Sequence, residues 1–365
     1  MESFKTDVLV VGSGPAGSMT ARYAAMKGAQ VTVIERRSTV GVPVRCGEFM
    51  PDTENIRTMF PLAEDIEGLF DTIPSDLRLM NTKAIRLVNP KGKTTDLPVT
   101  GYTTDRDRFD QYLAGEAQKE GAEIIMNCRF DGIEGGVART SMGDIEYKVI
   151  VGADGPGSRV AQSLGLKRNR NPYPAFTAQA KGDFEPYVMM YFGGIAPGAY
   201  SWIMPKKGQA NIGVGFSPKF AKGRKLSDYF DRFVERENLN VVTRTEGKYV
   251  PSEGPIDNTV SGNGMVVGDA AGHVISVNGG GIPLAMIAGR ICGQVAGDNI
   301  LDGRPLEDYQ TEWRRVMLKP LKTAAFNKKL ADIFAFHTEW TTSLCMAILG
   351  KRRMTNLIQC RRIFP

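Results

Sequence analysis

Gly12-Ser13-Gly14-Pro15-Ala16-Gly17 stands between an apolar run at residues 7–11 and an alanine-rich, helix-compatible stretch at residues 16–27. A GxGxxG between a strand and a helix constrains the fold strongly, because the missing side chains permit a tight turn and let a pyrophosphate approach the helix amino terminus. A second β-branched run, residues 31–34, follows Gly28 and ends at Glu35. An acidic residue about 20 positions beyond the glycines accepts hydrogen bonds from an adenosine ribose. It also disfavours a 2′-phosphate, so the slot suits FAD or NAD better than NADP. A glycine-rich turn in a nucleotide-free α/β fold leaves Glu35 unexplained.

Two later segments select FAD. Gly268-Asp269-Ala270-Ala271 ends an apolar run, and Asn278-Gly279-Gly280-Gly281-Ile282-Pro283 opens another alanine-rich helix, with Pro283 suited to the first turn. Such a turn presents backbone N–H groups and a positive dipole end to an anionic group. In a flavoenzyme that group is the reduced isoalloxazine, charged at N1 and O2.

The pattern along the chain is α/β. A Rossmann-like FAD-binding domain takes residues 1–75, 101–170 and 251–300, since the segments at 147–155 (YKVIVGADG) and 265–271 (MVVGDAA) are strands entering acidic turns. Residues 76–100 and 171–250 form an antiparallel β substrate domain, in which YVMMYFGG, AYSWIMP and QANIGVGF are separated by Gly and Pro turns. Residues 301–365 form a short helical carboxy-terminal region, with Trp313, Val316 and Met317 at helical spacing.

The chain resembles the geranylgeranyl reductase family, within the flavoproteins that include the aromatic hydroxylases. General markers are GSGPAG at 12–17, Arg106 in DRDRFD, GADG at 152–155 and GDAAG at 268–272. Narrower ones are PVRCGE at 43–48 and PGAYSWIMP at 197–205, similar to the reductases' PxxCGE and PxxYxWxFP. Met204 replaces the Phe of the second motif, and Ser276-Val277 stands where relatives often carry Asp-Pro.

The resemblance implies that FAD is held at Gly12, Gly14, Ala16, Gly17, Glu35, Cys46, Gly47, Arg106, Asp269, Gly281 and Ile282. Asp269 would meet the ribityl chain, and Asp154 would lie near the pyrophosphate unless it merely caps its turn. Cys46 is the candidate catalytic residue, beside the flavin, or else a small buried filler. Tyr200, Trp202, Ile203 and Met204 are substrate walls or simply β-domain core. His273, after GDAAG, is near enough to touch FAD.

The implied reaction saturates isolated double bonds of prenyl chains in ether-lipid precursors by hydride transfer from reduced flavin. PVRCGE and PGAYSWIMP favour it over a flavin monooxygenase of the hydroxylase type, and a non-catalytic flavin- or lipid-binding protein is the third reading. No second nucleotide fingerprint marks an NAD(P)H site, so the donor is NAD(P)H docking transiently or a ferredoxin-like carrier.

With 42% apolar and 24% charged residues the composition is globular. Five scattered cysteines and a start that enters a strand directly suit a reducing cytoplasm. Two histidines and no CxxC give neither a metal site nor an iron–sulfur ligand set. The uncharged run at 340–350 is about half the ~20 residues of a membrane span. No acidic residue follows Glu339, and Lys351, Arg352, Arg353, Arg361 and Arg362 alternate with apolar residues. That tail is either a solvated helix with one packed face or a peripheral contact to anionic lipid. Nucleic acid is disfavoured, because no aromatic-interleaved basic array occurs.

Overall fold

The computed structural model describes residues 4–169, 172–221 and 223–364, without the side chains of 245–248. Its first sheet draws strands from three distant stretches. Gly264–Val266, Gly143–Gly152, Phe4–Val11, Val31–Ile34 and Glu123–Ile125 pair in parallel in that order. Val8, Leu9 and Val10 have no exposed surface, which is why this strand reads as a continuous apolar run rather than an alternation. A hairpin, Phe130–Glu134 and Val137–Thr140, adds antiparallel strands to Gly143–Gly152.

Helix Pro15–Met26 follows the first strand and packs along the long helix Ile282–Asp302. Gly289, Gly293 and Gly297 form the contact face. A Cβ on Gly289 would lie 2.6 Å from Ala16 O, and one on Gly293 would lie 2.4 Å from Thr20 O. This close approach sets the amino termini of the two helices side by side.

The second sheet has seven strands, in the order Asn240–Val250, Tyr173–Lys181, Gln209–Gly215, Ser201–Lys206, Tyr187–Tyr191, Ala84–Val88 and Thr94–Leu97. It is mixed rather than purely antiparallel. Tyr187–Tyr191 pairs in parallel with Ala84–Val88, a strand reached from the cofactor part of the chain instead of through a hairpin. Helix Leu226–Arg236 covers one face through Phe230 and Phe233. The other face carries Val188, Met190, Trp202 and Met204, and it packs against Met354 and Ile358 of the last helix, Glu339–Ile358.

Candidate active site

The three loop glycines do three different jobs. Gly12 has φ +103, and a Cβ there would lie 2.5 Å from Ala153 O, so the first strand can abut the Ala153–Asp154 turn. A Cβ on Gly17 would lie 1.9 Å from Gly12 O, which sets the helix tight against the loop. Gly14 faces open space, with nothing within 4 Å. It is also the N-cap of helix Pro15–Met26 and provides no side-chain cap, so the first-turn amides are free for an anion.

Glu35 braces this cradle. Its Oε2 accepts from Ser13 N at 3.1 Å and Ser13 Oγ at 2.9 Å, and its Oε1 accepts from Arg37 N at 3.1 Å. A carboxylate has about four acceptor positions, so one remains for a ribose hydroxyl. Asp154 Oδ2 accepts from Arg159 N and Val160 N, at 2.7 and 3.2 Å. Its Oδ1 is buried without a partner. Burial raises the carboxyl above its usual range, partly opposed by the hydrogen bonds of Ser158, Val160 and Arg159. Asp154 therefore caps its turn and still offers one oxygen beside the glycine loop.

A second uncapped helix end lies next to the first. Gly268, φ +66, would put a Cβ 2.8 Å from the Ala16 Cβ, so the Gly268–Ala271 turn rests on the first helix. Gly281 is the N-cap of Ile282–Asp302, again without a side-chain cap, and a Cβ there would stand 3.5 Å from Asp269 Oδ1. Two dipole ends and glycines that leave a floor open fit an extended ligand with an anionic centre and an anionic ring, as FAD is when reduced, and the free Asp154 oxygen can accept from a hydroxyl of such a ligand.

Tyr200, Trp202, Met204 and Lys206 alternate along one face of Ser201–Lys206 and its approach, and all turn toward residues 46–48. A Cβ on Gly47 would meet the Met204 sulfur at 2.7 Å. The Trp202 ring lies over Gly213 and edge-on to Tyr200, centroids 5.9 Å apart. Tyr200 OH donates to the carbonyl of Asn278, in the glycine loop. Burial, then the neighbouring Cys46, pushes the phenol well above its ordinary range. Ile203 points the opposite way, into the cluster of Phe230 and Phe233, and is no wall of this site. A one-residue step along a strand reverses the face.

Cys46 Sγ accepts from Glu48 N at 3.2 Å. Arg106 is largely buried, its side chain 14% exposed, with the guanidinium bidentate on Asp110 at 2.9 and 3.0 Å. Burial opposes its charge, but Asp110 and Cys46 more than offset that and hold its pKa above the usual value.

Three residues, Gln179, Lys206 and Asn211, escaped the sequence reading, and Glu48 entered it only as the last residue of PVRCGE. Glu48, Gln179, Lys206 and Asn211 form a buried polar cluster directly under the Cys46 turn. Glu48 Oε2 accepts from Lys206 Nζ at 2.6 Å, Gln179 Nε2 at 2.8 Å and Asn211 Nδ2 at 2.8 Å. The alternation Tyr200, Trp202, Met204 extends by two to Lys206, and this was the available signal.

His273 is fully buried, its ring centroid 4.6 Å from that of Trp313. Burial holds it neutral, with a pKa of about 3, against a smaller opposing effect of Asp269. Since the unfolded imidazole titrates near 6.5, its contribution to stability is complete above that pH and is lost as pH falls toward 3. From about pH 7 to about pH 4.5 the unfolding free energy should drop by about 2.5 kcal/mol on this account. Urea titrations of His273→Phe should show a correspondingly smaller drop.

Among the described residues no group of side chains is arranged to hold a metal ion.

Comparison with known proteins matches this geometry to a family. Residues 5–184 fit an FAD binding domain and residues 175–248 a geranylgeranyl reductase catalytic domain. The chain is similar to a digeranylgeranylglycerophospholipid reductase of Methanocaldococcus jannaschii, 33% identical over 89% of this chain and 88% of the relative. A reductase of the same description from Methanosarcina acetivorans is 36% identical over 84% and 80% of the two chains. The crystal structure of a geranylgeranyl bacteriochlorophyll reductase-like protein from Thermoplasma acidophilum superposes with a TM-score of 0.79, at 28% identity, covering 90% of this chain and 88% of that one. The chain belongs to the geranylgeranyl reductase family and is an FAD-dependent oxidoreductase.

Proposed function

We propose that this enzyme saturates the geranylgeranyl chains of a digeranylgeranylglycerophospholipid. The observation that carries the reading is the apolar sheet face of Val188, Met190, Trp202 and Met204, which Met354 and Ile358 cover at one side and whose Trp202 and Met204 lie against Gly47, next to Cys46. A prenyl chain has no polar handle, and an apolar wall positions it by burial alone, at about 25 cal/mol per Å².

The pyrophosphate of FAD would lie over Gly14 and Ala16 with Asp154 alongside, its ribose on Glu35. Asp269 would meet the ribityl chain, and Gly281 and Ile282 the ring. Bound and reduced, FAD supplies the hydride. The chain's own task is to dry the site, align the double bond and deliver a proton to the second carbon. Cys46 Sγ is the donor in this reading, and Arg106 stabilises the thiolate left behind.

The hydroxylase alternative is separated in air. Reduced enzyme given the lipid should form saturated product and no oxygenated product. Oxygen insertion into the lipid would reverse the assignment. Electrons come from NAD(P)H or a ferredoxin-like carrier, and stopped-flow reduction with each distinguishes them.

The membrane supplies the substrate, and the last two helices suit a peripheral contact. Helix Lys319–Phe334 exposes Phe326, Ile333 and Phe334, and helix Glu339–Ile358 exposes Trp340, Leu344 and Ile348 at four-residue spacing. Trp340 is 64% and Phe334 62% exposed. Exposed Lys322, Lys329, Lys351, Arg352 and Arg353 flank them. Aromatic and aliphatic side chains framed by cations fit an anionic bilayer surface. No helix among the described residues is long and apolar enough to cross a membrane. Trp340→Glu with Ile348→Glu should lower partitioning to phosphatidylglycerol vesicles by about tenfold or more in a sedimentation assay. Unchanged partitioning would remove these helices from the contact.

A further inference from the structure

We infer that the buried cluster of Glu48, Lys206 and Asp105 is a positioning device that holds the Cys46 turn at a fixed place over the Trp202–Met204 floor. Resting on the reading of Cys46 as proton donor, it names the residues that keep the donor in register.

The cluster ties two parts of the molecule at one point. From the cofactor side come Glu48 and the turn before helix Arg106–Lys119: Arg106 N donates to Glu48 Oε1 at 2.9 Å, and Thr104 N to Glu48 O at 3.0 Å. From the second sheet come Lys206, Gln179 and Asn211. Lys206 Nζ bridges Glu48 Oε2 at 2.6 Å and Asp105 Oδ1 at 2.7 Å. Asn211 Nδ2 donates both to Glu48 Oε2 and to the carbonyl of Cys46, at 2.8 and 2.9 Å. Its Oδ1 accepts from Trp202 Nε1 at 2.8 Å. Asn211 thus connects the carboxylate, the Cys46 backbone and the indole of the floor.

The local backbone agrees with this role. Glu48 adopts φ +67, a left-handed conformation that a non-glycine residue occupies only when its surroundings enforce it. In that conformation its N–H reaches Cys46 Sγ. Relaxing the turn would release the thiol from this donor.

Net stability is a weak reason for such a cluster. Lys206 and Glu48 side chains are 2% and 1% exposed, and a buried ion pair is often no more stabilising than apolar residues of the same volume. Burial disfavours the ammonium, yet Glu48 and Asp105 more than compensate and keep Lys206 charged. Asp105, 29% exposed, is the member nearest solvent.

The test uses FAD-loaded enzyme carrying Lys206→Met, and the double variant Glu48→Gln with Lys206→Met, which leaves no lone buried Glu48 charge if the single variant folds poorly. Two quantities are read: turnover on the prenylated phospholipid, and the rate of Cys46 alkylation by N-ethylmaleimide, followed by peptide mass. A displacement of about 1 Å costs about 100-fold in rate, so kcat should fall at least about tenfold. KM should stay within about threefold. Alkylation of the released thiol should change by about fivefold or more. Wild-type kcat together with a wild-type alkylation rate overturns the inference. So does a loss of kcat with unchanged alkylation, because the turn would then have stayed in place. Cys46→Ala separates the two ideas: full turnover in that variant removes the proton-donor reading, while the alkylation rates still report where the turn sits.

Discussion

Cys46→Ala is expected to bind FAD normally and to reduce prenyl double bonds about 100-fold or more slowly than the parent enzyme. The anchors of the turn are main-chain and neighbouring groups: the Cys46 carbonyl on Asn211, the Glu48 carboxylate on Lys206 and Asn211, and the Glu48 carbonyl on Thr104 N. None requires the thiol, so the cradle should survive the substitution. What disappears is the proposed proton donor, with Arg106 beside it to stabilise the resulting charge. Hydride transfer without protonation of the adjacent carbon would leave a carbanion in an apolar site, which burial penalises heavily. Single-turnover kinetics of the reduced variant measure this directly, and a parental rate would leave Cys46 a packing residue only.

The second large effect separates fold from cofactor. Gly14→Asp should weaken FAD binding severely while leaving the apoprotein as stable as before, or slightly more so. Gly14 sits at φ −70 and its side-chain direction is empty, so an Asp is accommodated without strain. Asp is also a favoured N-cap, and its charge suits a helix amino terminus. The same carboxylate occupies the space of the pyrophosphate. Like charges about 4 Å apart repel by about 4 kcal/mol at an effective dielectric near 20. Affinity should therefore fall by about two to three orders of magnitude. Thermal melts of the apoprotein and fluorescence titration with FAD give the two halves of the result. A variant that melts much lower would show instead that the loop tolerates no side chain at Gly14. At Gly17 that outcome is expected, since a Cβ there meets Gly12 O at 1.9 Å.

The cofactor end of this molecule was legible because its chemistry is local. The GxGxxG loop, Glu35 and the two glycine-capped helix ends are each set by a few adjacent residues, and the motif spacing encodes the turn itself. The long helix carrying Gly289, Gly293 and Gly297 shows where that stops. Its glycines look like weak helix formers in the sequence, and only the approach of Ala16 and Thr20, far earlier in the chain, explains them. The same holds for Lys206. A lysine at the end of an apolar strand reads as an exposed terminus, until the strand is placed against Glu48 and Asp105 from the other part of the chain. Ile203 shares its motif with Tyr200, Trp202 and Met204, and only strand alternation separates it from them, on the other face and in the β-domain core. The parallel pairing of Tyr187–Tyr191 with Ala84–Val88 joins segments about a hundred residues apart, beyond the reach of any local pattern.

The central claim is tested most directly without oxygen. The FAD-loaded protein is reduced chemically, a digeranylgeranylglyceryl phospholipid is added, and flavin absorbance and lipid mass are followed together. Reoxidation of the flavin in step with gain of hydrogen pairs by the lipid is the expected result. Flavin that stays reduced over a lipid of unchanged mass would contradict it.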